Sequence, residues 1–321
     1  MTLKNLRSQN LKALRHFVAV AEELHFGRAA TRLHMTQPPL SQSIQALEEE
    51  LGVVLFHRTN RSVSLTPVGA LWLPHVRQIL DNTEALPQVA QRLARGEIGT
   101  LRFSFVSSTV YGVLPELVSR FSVDFPDVEM TLKEATSNLQ VQSLLNQEID
   151  VGLLIAPTHR DFPPKLAYHP ISFEPLIVAM PEQWLSEAWL NETQLNLEDV
   201  SLESINLKNM AHLPLILFPR ESSPALHDLI TGYYAQLGIE PLLGQQAIQM
   251  QTIIGLVSAG MGFALVPDSM RTLQRAGVVY RSLSNDAPIM ETGLVLNSHH
   301  APPAAYNLLQ LAMQIRENAN H

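Results

Sequence analysis

Between Thr36 and Gln45 the chain gathers side chains that can read the edges of base pairs: Thr36, Gln37, Ser41, Gln42, Ser43 and Gln45, with Pro38 and Pro39 among them. Glutamine can pair bidentately with adenine, hydroxyls bond to several bases, and proline can touch a thymine methyl. Arg58 and Arg61 follow in a short basic stretch, suited to phosphate or to the minor groove, and Arg28 and Arg32 precede it, placed to touch the nucleic-acid backbone. A second group is hydroxyl-rich: Ser107, Ser108 and Thr109, then Ser137 and Asn138. Hydroxyls and free N–H groups at helix starts suit a carboxylate. Taken singly, each arginine is as well explained by a solvated surface, and each hydroxyl by ordinary helix capping. The conjunction is what carries information.

The elements that must position the first group follow from spacing. Leu11, Leu14, Phe17, Val18, Ala21 and Leu24 recur at helical intervals. A short helix from about Gly27 to Leu33 offers Ala29 and Ala30 for close approach. Thr36 is then an N-cap, with Pro38 and Pro39 in a first turn that needs no N–H from them. Leu40, Ile44, Leu47 and Leu51 make one buried face, and Gly52 ends the helix. Two helices joined by a short turn are a helix-turn-helix. Its second helix closes on Glu48, Glu49 and Glu50, which phosphates repel, so its amino-terminal half must enter the groove. Val54–Phe56 and Ser62–Leu65 bracket a basic tip and read as a hairpin wing. Pro67 then opens a helical stretch that runs to Arg95 and stops at Gly96. At about 1.5 Å per residue it is roughly 40 Å long, too long to bury its apolar stripe on one small module, so it calls for a second copy. Pro74 and Pro87 should kink or split it.

From Thr100 the pattern changes to strands and helices in βαβαβ order, repeated after Glu174. Two such lobes connected twice form a cleft, and ligands in open α/β sheets bind at carboxyl ends of strands. Ser107–Thr109 and Ser137–Asn138 stand at such ends. The last strands, Val278–Ser282 and Thr292–Leu296, are assigned to the first lobe. The domains expected are residues 1–66, a linker 67–96, and 97–321, the last split into a first lobe (about 97–172 and 270–321) and a second (about 173–269).

Composition agrees with two unlike parts. Residues 1–95 carry 11 Lys and Arg against 7 Asp and Glu, a net charge of +4, while residues 96–321 carry 11 against 23, a net of −12. A nucleic-acid module fused to an acidic body fits this. The absence of cysteine excludes disulfides, thiolate catalysis and cysteine-ligated zinc. No signal-peptide core or membrane-length apolar run is evident, so a cytoplasmic protein without membrane contact is expected.

Residues 26–66, FGRAATRLHMTQPPLSQSIQALEEELGVVLFHRTNRSVSLT, resemble the DNA-binding domain of LysR-type transcriptional regulators, and the carboxyl-terminal half resembles their effector domain, itself similar to periplasmic solute-binding proteins. Where relatives commonly carry Arg after the recognition-helix serine, this chain has Gln42. The resemblance implies pairing of linker helices and a tetramer built as a dimer of dimers. It also implies a small effector, an organic acid as in the branch that senses intermediates of aromatic-compound breakdown, and no cofactor. Its carboxylate would bind at Ser108 and Ser137, facing a wall of Arg220, Ser222, Ser223, Pro224 and Leu226, with Met250 and Gln251 on the far side. An enzyme is the first alternative, but no G-x-S-x-G elbow, P-loop or H-E-x-x-H is present. A periplasmic-type solute-binding protein is the second, opposed by the basic helix-turn-helix.

Overall fold

The computed structural model describes residues 8–59, 62–157, 162–186, 204–284 and 286–319. Arg61 and most of the segment between Ser186 and Met210 lie outside the described residues. The chain divides into two compact units, Met1–Gln91 and Arg92–His321.

The first unit is built on α1 (Ser8–Glu23), α2 (Phe26–Arg32) and α3 (Gln37–Leu51), a hairpin of β1 (Phe56–Arg58) with β2 (Val63–Leu65), and α4 (Pro67–Ala94). Ala29 and Ala30 are buried, so α2 approaches its neighbours without a side chain in the way. Thr36 caps α3 in extended backbone conformation but makes no side-chain cap bond, with proline in the first turn. Gly52 closes it at φ 70°, the left-handed conformation in which glycine carries no Cβ penalty. Leu40, Ile44 and Leu47 are buried as the spacing predicts, but Leu51 is exposed, because the helix ends there and no element covers its last turn. The core is an aromatic cluster: the Phe17 ring lies 5.4 Å from Phe56 and 4.9 Å from Trp72, so α1, the wing and α4 share one contact.

Thr66 begins α4 as predicted, its Oγ1 accepting from Gly69 N–H at 3.0 Å and donating to the Val54 carbonyl at 2.9 Å. The helix runs unbroken through Pro74 and Pro87, against the expectation of a split. Each proline removes one hydrogen bond in a helix of 28 residues, and Trp72, Val76 and Leu80 pack on the core on both sides of Pro74. The predicted stripe divides in two. Val76 and Leu80 are buried, whereas Val68, Leu71, Ile79, Leu86, Val89 and Leu93 are exposed on a single chain.

In the second unit β3 (Ile98–Phe105) pairs in parallel with β4 (Asp127–Glu134) and β5 (Val151–Ile155), with α5 (Val113–Asp124) and α6 (Ser137–Leu145) as the intervening helices. β12 (Ile289–Asn297) lies antiparallel between β5 and the first half of β6 (Leu166–Pro181). The second half of β6 pairs antiparallel with β10 (Ala264–Pro267) and β11 (Val278–Leu283), and β11 pairs in parallel with β7 (Ser204–Ile205). β8 (Pro214–Leu217) pairs in parallel with β9 (Leu242–Gln246). Helices α7 (Pro224–Gln236) and α8 (Met250–Ser258) complete the second lobe, and α9 (Pro303–Ala319) supplies Ala304, Ala305, Leu308 and Ala312 to the core of the first.

Two strands depart from the expected lobes. β11 sits beside Val178–Pro181 and so belongs with the second lobe. β6 starts at Leu166, well before Glu174, and passes from one lobe to the other. A continuous strand of 16 residues has no local signal for the place where its partners change; pairing decides it.

Candidate nucleic-acid interface and ligand cleft

The side chains of Thr36, the N-cap of α3, and of Gln37, Pro38, Pro39, Gln42 and Gln45 within it are exposed. Ser41 is half-buried and lines a shallow polar concavity with Gly27, Gln37, Arg58 and Thr59. Ser43 is turned inward, its Oγ 2.8 Å from Nδ1 of buried His16 on α1. Burial and the charge of Lys12 push the His16 pKa down, which keeps the ring neutral and able to share that bond. Ser43 therefore anchors α3 to α1.

The three glutamates do three different things. Glu48 accepts from the backbone N–H groups of Leu55 at 2.8 Å and Phe56 at 3.0 Å, and its other oxygen pairs with Arg58 at 2.6 Å. It thus ties the end of α3 to the base of the wing. Glu49 accepts from Gln45 Nε2 one turn earlier, and Glu50 is exposed. Arg58 meets Glu48 on one side and stacks over the Phe26 ring, its guanidinium carbon 4.9 Å from the centroid. Arg28 and Arg32 are also paired. Arg28 meets Glu23, and Arg32 meets Glu22 at 2.7 Å, a carboxylate shared with Arg77. Sequence reasoning missed His25, whose Nδ1 accepts from the backbone N–H of Gly27 and Arg28 and so caps α2.

A cavity of about 260 Å³ lies between the lobes of the second unit. Seven predicted residues line it: Ser107, Ser108, Ser137, Ser222, Ser223, Leu226 and Met250. Ser108 is buried and its Oγ has no hydrogen-bond partner. Ser137 Oγ accepts from Ile155 N–H at 3.3 Å, which leaves its own proton to donate. The other five stand elsewhere. Thr109 Oγ1 donates to the Val106 carbonyl in its own 3₁₀ turn. Asn138 Nδ2 donates across the cleft to the Glu221 carbonyl at 3.4 Å. Arg220 forms a bidentate pair with Asp228 at 2.7 and 2.9 Å, and hydrogen bonding to Arg220 holds the Asp228 carboxyl below its usual pKa. Pro224 occupies the first turn of α7, and Gln251 points to solvent on α8.

Sequence reasoning missed Glu134, Thr136, Ile155, Phe218, Ile248 and Gln249, which also line the cavity. Three N-caps stand on its wall: Thr136 of α6, Ser223 of α7 and Gln249 of α8, none with a side-chain cap bond. The first-turn N–H groups and the positive ends of three helix dipoles therefore converge on one space. Gln249 Nε2 also donates to Glu134 Oε1 at 3.3 Å, a second bond across the cleft. Among the described residues no group of His, Cys, Asp and Glu is placed to hold a metal ion, and no helix is long and apolar enough to cross a membrane.

A winged helix-turn-helix continued by a long helix, followed by a two-lobed domain with an anion-friendly cleft, defines a ligand-responsive DNA-binding protein. Residues 11–70 match the family described as "Bacterial regulatory helix-turn-helix protein, lysR family", and residues 94–315 match "LysR substrate binding domain". The chain belongs to the LysR family of transcriptional regulators and is not an enzyme. It is 49% identical over 305 residues to the HTH-type transcriptional regulator IlvR of Caulobacter vibrioides, covering 95% of this chain and 98% of that one. It is 40% identical to AlsR of Bacillus subtilis, over 85% of each chain. Full-length CbnR in complex with its target DNA superposes with a TM-score of 0.78 at 25% identity, covering 95% of this chain and 98% of that chain. Like its relatives the chain is a DNA-binding, effector-responsive regulator.

Proposed function

We propose that the amino-terminal half of α3 enters the major groove and that a small organic anion in the interlobe cleft controls how the assembled protein holds its operator. The observation that carries the effector reading is Ser108: a hydroxyl 4% exposed, without a partner, on the wall where three helix N-termini converge. An unpaired buried hydroxyl is costly, and a carboxylate oxygen would satisfy it. Ser107, Ser137 and the first-turn N–H groups add further donors, while Phe218, Leu226, Ile248 and Met250 enclose an apolar body. Intermediates of aromatic-compound breakdown are members of this ligand class and head the compounds to screen.

On the DNA side, Thr36, Gln37, Pro38, Pro39, Gln42 and Gln45 are the base-reading candidates, with Ser41 at the edge of the groove. Arg28 and Arg32 serve phosphates by exchanging their carboxylate partners. Arg58 acts through its hold on the wing, and Arg61 serves phosphate or the minor groove. The exposed apolar stripe of α4 pairs with that of a second copy, and two such dimers form a tetramer that works in the cytoplasm. Paired recognition helices then meet half-sites about one helical turn, ~34 Å, apart.

A thermal-shift screen of small carboxylates tests the effector reading, because a ligand at a hundred times its Kd adds about 2.7 kcal/mol to stability. Calorimetry on Ser108→Ala completes it: inducer affinity falls while operator affinity without inducer is retained. An inducer that binds wild type and Ser108→Ala equally overturns the assignment.

A further inference from the structure

The cleft holds one ionisable side chain among the described residues that line it, and that side chain is an acid. Glu134 ends β4, three residues before α6 begins. The side chain is exposed at the cavity wall; one of its oxygens accepts from Gln249 Nε2 of the opposite lobe at 3.3 Å, and the other has no protein partner among the described residues. No Lys, Arg or His stands among the described lining residues to balance it, since Arg220 is committed to Asp228. Hydroxyls and helix N-termini favour one anionic group, whereas a fixed carboxylate on the same wall repels a second and attracts a donor.

We infer that Glu134 selects the effector: the cleft takes a monocarboxylate that also carries a hydroxyl or ammonium group, in preference to a plain acid or a dicarboxylate. This rests on the reading of the cleft as a carboxylate site. The donor meets the free oxygen of Glu134, the carboxylate meets Ser108 and the helix N-termini, and the apolar residues enclose the frame between them. Because Glu134 also bridges to Gln249, a ligand held by it touches both sides of the lobe closure. Selectivity and response thus reside in one residue.

The test uses the full chain and two matched series. One is benzoate with its meta-hydroxy, meta-aminomethyl and meta-carboxy derivatives. The other is pentanoate with its alpha-hydroxy, alpha-amino and terminal-carboxy derivatives. Affinities are measured by calorimetry for wild type, Glu134→Gln and Ser108→Ala. The glutamine keeps an acceptor for Gln249 and removes the charge. In wild type, a donor-bearing member of at least one series binds about fivefold or more tighter than its parent acid, the scale of a partly solvated ion pair, and the dicarboxylate binds more weakly. In Glu134→Gln the preference for the ammonium member disappears and the dicarboxylate gains, while Ser108→Ala weakens all members alike. The same ranking in wild type and Glu134→Gln, or a dicarboxylate as the tightest wild-type ligand, overturns the inference and leaves the carboxylate site standing. Failure of every acid to bind wild type overturns both.

Discussion

Replacing Glu48 by alanine removes one side chain from the end of the recognition helix and with it three hydrogen bonds, from Leu55 N, Phe56 N and Arg58 Nη2. The Glu48 side chain is only 13% exposed, so water replaces it poorly. Hydrogen bonds to a charged group contribute about 1.5–3 kcal/mol each and are not additive when they share one acceptor. A loss of about 3 kcal/mol in the first unit is therefore expected. For a unit of this size that lowers its melting temperature by roughly 12–24 °C. Arg58 loses its carboxylate and becomes a free cation near the wing, so binding to random duplex at low salt rises or holds. Specific binding falls, because the wing is no longer fixed to the end of α3. Gel-shift titration against operator and random DNA at several salt concentrations reads the ratio, and hydrogen exchange of the Leu55 and Phe56 amides reads the anchoring directly. Wild-type protection at those two amides, together with an unchanged specificity ratio, would refute the reasoning.

Other consequences are as concrete. Ser108→Ala raises the stability of the ligand-free second unit by about 1 kcal/mol, since it deletes an unpaired buried hydroxyl; a lowered melting temperature in differential scanning calorimetry contradicts this. Leu86→Asp, at a position 61% exposed on α4, disperses the oligomer with little effect on the folded chain, and an unchanged mass in light scattering excludes a role for that face in assembly. Burial raises the Glu22 pKa, but hydrogen bonds from Arg32 and Arg77 outweigh it and set the folded value below 4.5. The contribution is therefore complete above the unfolded value and is lost as pH falls through the folded one; a melting curve whose acid side is the same for wild type and Glu22→Gln rules it out. Gly69→Ala drives a Cβ into the Leu55 carbonyl oxygen, and an expected loss of about 1–3 kcal/mol is checked by denaturant titration.

Local chemistry made the first unit legible. Helix spacing, the Thr36 and Pro38 start, the Gly52 stop and the Thr66 cap act over a few residues, so the order of elements could be read from the chain alone. The hydroxyls at strand ends were legible for the same reason: Ser107, Ser108 and Ser137 follow their strands directly. Long-range partners were not. Helical spacing sets Ser43 beside Leu40 and Leu47 and Gln42 off that face, but nothing local says that Ser43 meets His16 or that Glu48 bonds wing amides. Arg220 reads as an effector contact from sequence, but the fold pairs its Nε and Nη2 with Asp228, eight residues on in α7.

The sequence by itself determined the modules, their order, the recognition helix and the hydroxyl wall of the cleft, because capping, periodicity and turn chemistry are properties of short segments. Only the tertiary structure decided which charges are already spent on carboxylates, where β6 changes partners, and that an acid bonded only to Gln249, Glu134, lines the cavity. Those depend on which surfaces meet across tens of residues, and the free energy of ion pairing and burial is settled only when they do.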